Sequence, residues 1–173
     1  ISDLEVEQRE LNSKIYYIRY PIDKSSEFIT IATTRPETML GDTAIAVNPK
    51  DKRYKNFVGK TVTIPIVGRK IKIIKDNYAD PEQGTGALKI TPVHDFNDYD
   101  VGQRNKLEII NVFTEEGKIN ENAPKDYVGL DRFDARKKIL NELKEKDYFV
   151  KEENIKNKVP YGDRSNSIIE PFL

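Results

Sequence analysis

Cysteine is absent from the chain, and histidine and methionine occur once each, as His94 and Met39. Without cysteine there is no disulfide and no thiolate for a metal. With one imidazole besides, a structural zinc site lacks ligands, although a cation held by oxygens stays open. An excess of one charge sign is missing too: Lys plus Arg and Asp plus Glu number 29 each. A domain that grips nucleic acid alone usually carries a basic excess, because neutralising phosphates supplies most of its affinity. The balance argues against tight standalone binding, not against a nucleic-acid end delivered by something else. No apolar run approaches the roughly 20 residues of a membrane span, and no signal-peptide pattern opens the chain.

What is present fits one soluble globular domain: 173 residues, 37% hydrophobic and 34% charged, enough for a real core. A start at Ile1 with Met39 as the single methionine is expected of an excised piece.

Strand signals fill the first two thirds. "KIYYIRYPI" (14–22), "FITIATT" (28–34), "TAIAV" (43–47), "TVTIPIV" (61–67), "KIKIIK" (70–75) and "ALKITP" (87–92) are short, β-branched or aromatic runs. Gly41-Asp42, Asn48-Pro49, Val67-Gly68-Arg69 and Gly84-Thr85-Gly86 divide them as turns. About six closely spaced strands imply a barrel-like core, and with a few peripheral helices the class is α+β. "DRFDARKKILNELKEKDYF" (131–149) reads as a helix capped by Asp131, with an apolar stripe of Phe133, Ile139, Leu140 and Leu143. A shorter helix starts at Asp95 and runs towards Arg104. Both ends of the chain look strand-like, "NSIIEPF" closing it. Such ends can lie side by side and lead to a larger host.

Two stretches concentrate chemistry. "ITPVHDFNDYD" (90–100) places His94 among three aspartates. It reads as a helix start, with Asp95 as N-cap and Asp98 completing a variant capping box. It also reads as a carboxylate cation site of Asp95, Asp98 and Asp100, although residues two apart on a helix point in different directions. "TTRPETMLGD" (33–42) packs threonines, Arg35 and Glu37 around Pro36, either as a polar turn or as a functional loop on a rigid strand end.

With "GTGALKITPVHDFNDYDVG" and "VPYGDRSNSIIEP", the stretch "TTRPETMLGDTAIAVNP" resembles the editing domain (connective polypeptide 1) of class I aminoacyl-tRNA synthetases, the valyl type most of all. The three ordered motifs span nearly the whole chain, and the catalytic-domain signatures of that family are absent. The resemblance implies a single editing domain over 1–173, inserted in a cytoplasmic parent synthetase, that hydrolyses mischarged threonyl-tRNA(Val). It implies as partners the 3′-terminal aminoacyl-adenosine of valine tRNA and the rest of the parent enzyme, with no membrane, no metal and no cofactor for editing, the fragment alone being a monomer. Asp98 matches the family's amine-binding aspartate, and the helix start would help keep it ionised. Lys89 and Thr91, two apart on one strand, would line the site, the lysine facing developing negative charge and the threonine orienting water. Thr33, Thr34 and Arg35 match the loop that wraps the aminoacyl group. Thr38, His94 and Asp95 complete the substrate-binding candidates. Gln83 departs from the pattern, which often has an aromatic side chain before "GTG" to pack on the terminal adenosine. A tRNA-end binding module that does not hydrolyse, and a leucyl or isoleucyl relative, are the other readings.

Overall fold

The structure, a computed structural model, describes residues 13–93 and 95–155. Seven strands and two α-helices make up its regular elements: β1 (Lys14–Pro21), β2 (Phe28–Thr33), β3 (Ala44–Val47), β4 (Thr61–Thr63), β5 (Lys70–Lys75), β6 (Leu88–Ile90), α1 (Phe96–Arg104), α2 (Arg132–Glu145) and β7 (Phe149–Asn154). They form two sheets, ordered β2-β1-β7 and β4-β5-β3-β6. β1 runs antiparallel to both neighbours, and β3 is parallel to β5 but antiparallel to β6. An Ile22–Val62 bridge joins the sheets along one seam, and β2 packs against β6 along another. The outcome is the expected α+β class with a β core and few helices.

Period-two alternation explains the core. Ile18 and Tyr20 of β1, Ile29 and Ile31 of β2, and Ile71 and Ile73 of β5 all point inward and are buried. Asp131 caps α2 by accepting from the Asp134 amide, and Ala135, Ile139 and Leu143 bury one face of the helix. Burial of each large aliphatic side chain contributes about 1.5–3 kcal/mol. Phe133 does not join that stripe: it is 44% exposed, with the Arg136 guanidinium 5.5 Å from its ring. A second, smaller cluster lies under α1, where Ala44 and Ala46 of β3 meet Ile90 and Val101. Small residues on β3 let the helix approach its outer side.

Several boundaries differ from the sequence reading. The run 61–67 is strand only to Thr63, because Pro65 has no amide to donate and Ile66 takes a φ of 71° at the hairpin tip. The helix over 131–149 stops at Glu145, and Asp147, at φ 68°, turns the chain into β7. This charged strand, "FVKEEN", is held by pairing with β1 rather than by apolar alternation. The closing "NSIIEPF" and the motif "VPYGDRSNSIIEP" lie outside the described residues.

Candidate active site

Two chain segments are brought together by the β3–β6 ladder. β2 ends at Thr33, and a 3-10 turn over Pro36–Gly41 then returns the chain to β3. Thr33 tightens that turn, its hydroxyl accepting from the Arg35 amide at 3.0 Å. Glu37, with no exposed surface, anchors it to α2 through a two-pronged pair with Arg136 at 2.7 and 2.9 Å. Opposite, Ala44 pairs with Ile90 and Ile45 with Lys89, so Asp42 arrives beside Thr91. From Thr91 the chain passes to Asp95, the N-cap of α1, whose carboxylate accepts from the Asn97 and Asp98 amides.

Between the segments is a cavity of about 100 Å³ lined by Thr33, Thr34, Arg35 and Thr38 on one side and Lys89, Thr91, Asp95 and Asp98 on the other. That is room for a few waters or a small amino-acid side chain. Eight of the nine candidate residues thus share one cavity; the ninth, His94, is outside the described residues. Tyr78, not singled out in the sequence, also lines it.

Lys89 is almost fully buried, and its ammonium has three partners: Asp42 Oδ1 at 2.7 Å, Thr38 Oγ1 at 2.8 Å, and the Thr91 hydroxyl. The Thr91 hydroxyl donates to Asp42 Oδ1 at 2.8 Å, and the Thr38 hydroxyl donates to the Arg35 carbonyl at 2.8 Å. Tyr20 closes the network from β1, donating to Asp42 Oδ2 at 2.6 Å. Burial pushes the Asp42 carboxyl up, against the pull of Lys89, Tyr20 and Thr91. Both hydroxyls have spent their donor and keep only acceptor capacity towards the cavity. Asp42 and Tyr20 were missed because Gly41-Asp42 reads as a turn and Tyr20 as an ordinary strand residue. The one usable signal was an acidic side chain two residues before a wholly apolar strand.

Asp98 is 4% exposed and accepts from the Thr91 amide at 2.9 Å. Its carboxylate therefore serves the strand end and not the Asp95 amide, which bonds the Thr91 carbonyl instead; the variant capping box does not form. Ionisation differs from expectation as well. Burial first, then the Asp95 charge, pushes the Asp98 carboxyl up to about 7, outweighing the Thr91 amide and Lys89. Position in the first turn of a helix does not offset desolvation here. Among the described residues no three acidic or histidine side chains converge in the way a metal ion requires. The cation-site reading of Asp95, Asp98 and Asp100 is excluded on geometry, with Asp100 out in solvent. Gln83 is exposed in the turn before Gly84, well placed for solvent and not packed as a wall.

A family model described as the editing domain of leucyl-tRNA synthetase matches residues 51–131. The valine–tRNA ligase of Pelagibacter ubique is 83% identical over all 173 residues, which span 20% of that protein. The valine–tRNA ligase of Thermotoga maritima is 53% identical over the same length, again 20% of the protein. The chain thus spans about a fifth of the length of the curated relatives it matches. In fold it is similar to the LeuRS of Agrobacterium radiobacter, solved as a ternary complex with tRNA and LeuAMS: TM-score 0.65, 22% identity, 87% of this chain and 22% of that one. It is also similar to GlLeuRS-CP1, with TM-score 0.63 and 13% identity over 82% of this chain and 100% of that one. By sequence along its whole length and by fold, the chain belongs to the editing domains of class I aminoacyl-tRNA synthetases, on the side of the valine–tRNA ligases.

Proposed function

We propose that this domain hydrolyses threonine from the terminal adenosine of mischarged valine tRNA, as the inserted part of a valyl-tRNA synthetase. One observation carries the reading: the turn after β2 and the β6–α1 segment enclose a small polar cavity with a buried carboxylate, Asp98, on its wall. A synthetic pocket shaped for valine cannot strongly reject threonine, the standard illustration of that limit, and hydrolysis at a second site is the remedy.

Asp98 takes the α-ammonium group of the esterified amino acid. With its carboxyl at about 7, it is close to half ionised at neutral pH, and an incoming ammonium displaces the remaining proton and lowers that value. Thr38 and Thr91 present acceptor oxygens only, so a substrate hydroxyl donates to one of them. Valine has no such donor and forfeits roughly 1–3 kcal/mol of pairing. Thr33, Thr34, Arg35 and Asp95 shape the remaining wall. The ester is already activated, so held water and modest electrostatic help suffice. Lys89 supplies the positive charge nearest the ester oxygen, and Thr91 steadies the water; for direct contact Lys89 must release one of its three partners. No covalent intermediate and no cofactor enter this scheme.

That saturation of Lys89 also favours a second reading, a module that binds the tRNA end without cleaving it. Hydrolysis of threonyl, valyl and isoleucyl esters of the matching tRNAs separates the possibilities. The expected order is threonyl at least about tenfold faster than valyl, from the hydroxyl pairing above. Binding of a threonyl-adenosine analogue with no turnover of any ester would establish the module, and preference for the isoleucyl or leucyl acceptor would move the domain to a relative.

A further inference from the structure

The turn after β2 depends on its neighbours for its shape. It runs as a 3-10 helix for six residues, Pro36–Gly41. The poorer hydrogen-bond geometry of that helix seldom carries it beyond about three or four. No side chain caps its start at Arg35. Yet all six residues are buried, and Arg35 and Thr38 line the aminoacyl cavity. Support comes from outside the turn.

Two arginines from distant parts of the chain give it. Arg69, directly before β5, donates to the Leu40 carbonyl at 3.0 Å and to the Asp42 carbonyl, which holds the far end. Arg136 of α2 holds the middle through Glu37, its Nε and one terminal nitrogen meeting the two carboxylate oxygens at 2.7 and 2.9 Å. A two-pronged pair fixes the direction of both groups, which a point charge does not.

Glu37 reaches the cavity wall as well. Its Oε2 lies 4.0 Å from Arg35 Nε, so one buried carboxylate stands between the guanidinium of α2 and that of the wall. Its neighbour Thr38 donates to the Arg35 carbonyl twice, from the amide at 3.0 Å and from the hydroxyl at 2.8 Å. The same hydroxyl accepts from Lys89 at 2.8 Å. One lone pair is left for a substrate hydroxyl, and its direction follows the turn that Glu37 anchors. Stability alone does not call for a buried ion pair here, because apolar side chains of similar volume do as well or better.

We propose that Arg136 and Glu37 are positioning residues for threonine selection, aiming the Thr38 oxygen and the Arg35 guanidinium from outside the cavity. This rests on the aminoacyl-tRNA reading above. It adds two residues that do not line the cavity to those that set its specificity.

The test compares the unaltered chain with the double variant Glu37→Met, Arg136→Met and with Arg136→Lys. The double change removes both charges together and strands neither. Arg136→Lys keeps the charge and loses the two-pronged bond. In the double variant, kcat/KM for threonyl-tRNA(Val) should fall about tenfold, with the valyl value within about twofold. The preference for threonine is then nearly erased. Arg136→Lys should shift the ratio in the same direction by a smaller factor, and it carries the test should the double variant fail to fold. A smaller folded fraction lowers both esters alike, so the ratio separates aiming from mere support.

Native-state hydrogen exchange gives a readout that needs no substrate. The Thr38 and Asp42 amides bond to the Arg35 and Met39 carbonyls within the turn. They should exchange at least about tenfold faster in the double variant, while the β3 amides stay within about twofold. An unaltered chain that cleaves neither ester would sink the hydrolase reading and leave the exchange rates to decide this one. An unchanged threonyl-to-valyl ratio, an equal fall with both esters, or unchanged exchange at Thr38 and Asp42 would overturn the proposal.

Discussion

Asp98→Ala should lower deacylation of threonyl-tRNA by about 10³-fold, because removing one member of a desolvated ion pair leaves the substrate ammonium buried and unpaired. Asp98→Asn should lose nearly as much, although it keeps the shape and the bond from the Thr91 amide. The two variants should differ in stability, and in an informative direction. The folded-state carboxyl titrates near 7, against an ordinary value of about 3.9 in an unfolded chain. Below the unfolded value both states hold the proton and nothing is lost. Between the two values only the folded state holds it, so stability falls as pH rises; the loss is complete above the folded value. Its size is of order a few kcal/mol, at about 1.4 kcal/mol per unit. Asp98→Asn should therefore raise the thermal midpoint at pH 8 and leave it nearly unchanged at pH 4. A variant that is inactive yet more stable marks a residue kept for the substrate. Equal midpoints at pH 8, measured by calorimetry, would show that the carboxyl is not destabilised by its surroundings.

The second large effect concerns Asp42 and Lys89. Asp42→Ala should destabilise the fold by about 3–5 kcal/mol, since it strands a buried ammonium with only two hydroxyls for company. Lys89→Met should cost less, because the Asp42 carboxyl is already pushed up by burial and can take a proton once its partner is gone. The cost of Lys89→Met should shrink further as pH falls, for the same reason. The double variant Asp42→Ala, Lys89→Met should be less destabilised than the sum of the single changes by about 2 kcal/mol. Urea unfolding of the four proteins completes the cycle. Strict additivity would mean that the pair at 2.7 Å contributes nothing by pairing, and the cavity floor would need another explanation.

The same residues show what the sequence made legible. Ile18, Ile31 and Ile73 announced their strands because inward positions recur every second residue. Asp131 and Asp95 announced helix starts because few other residues cap so well. β7 was hidden: half of its residues are charged, and only the edge of β1 makes them a strand. The site residues were legible as a set through their resemblance to a family, and the cavity brings eight of them together. Their states were not. Whether Asp98 is ionised depends on how much water the fold removes around it, and no local pattern encodes that. Whether Lys89 is available depends on Asp42 and Thr38, 47 and 51 positions away, meeting it across the β3–β6 ladder and the 3-10 turn. Tyr78 falls in a stretch that reads as a plain turn, and only the fold brings it to the cavity wall.

A structure of the chain with a non-hydrolysable threonyl-adenosine analogue tests the central claim most directly. The account expects the α-ammonium group within about 3 Å of the Asp98 carboxylate and the threonine hydroxyl against Thr38 or Thr91. An analogue bound with its amine away from Asp98, or bound on another face of the molecule, would contradict it.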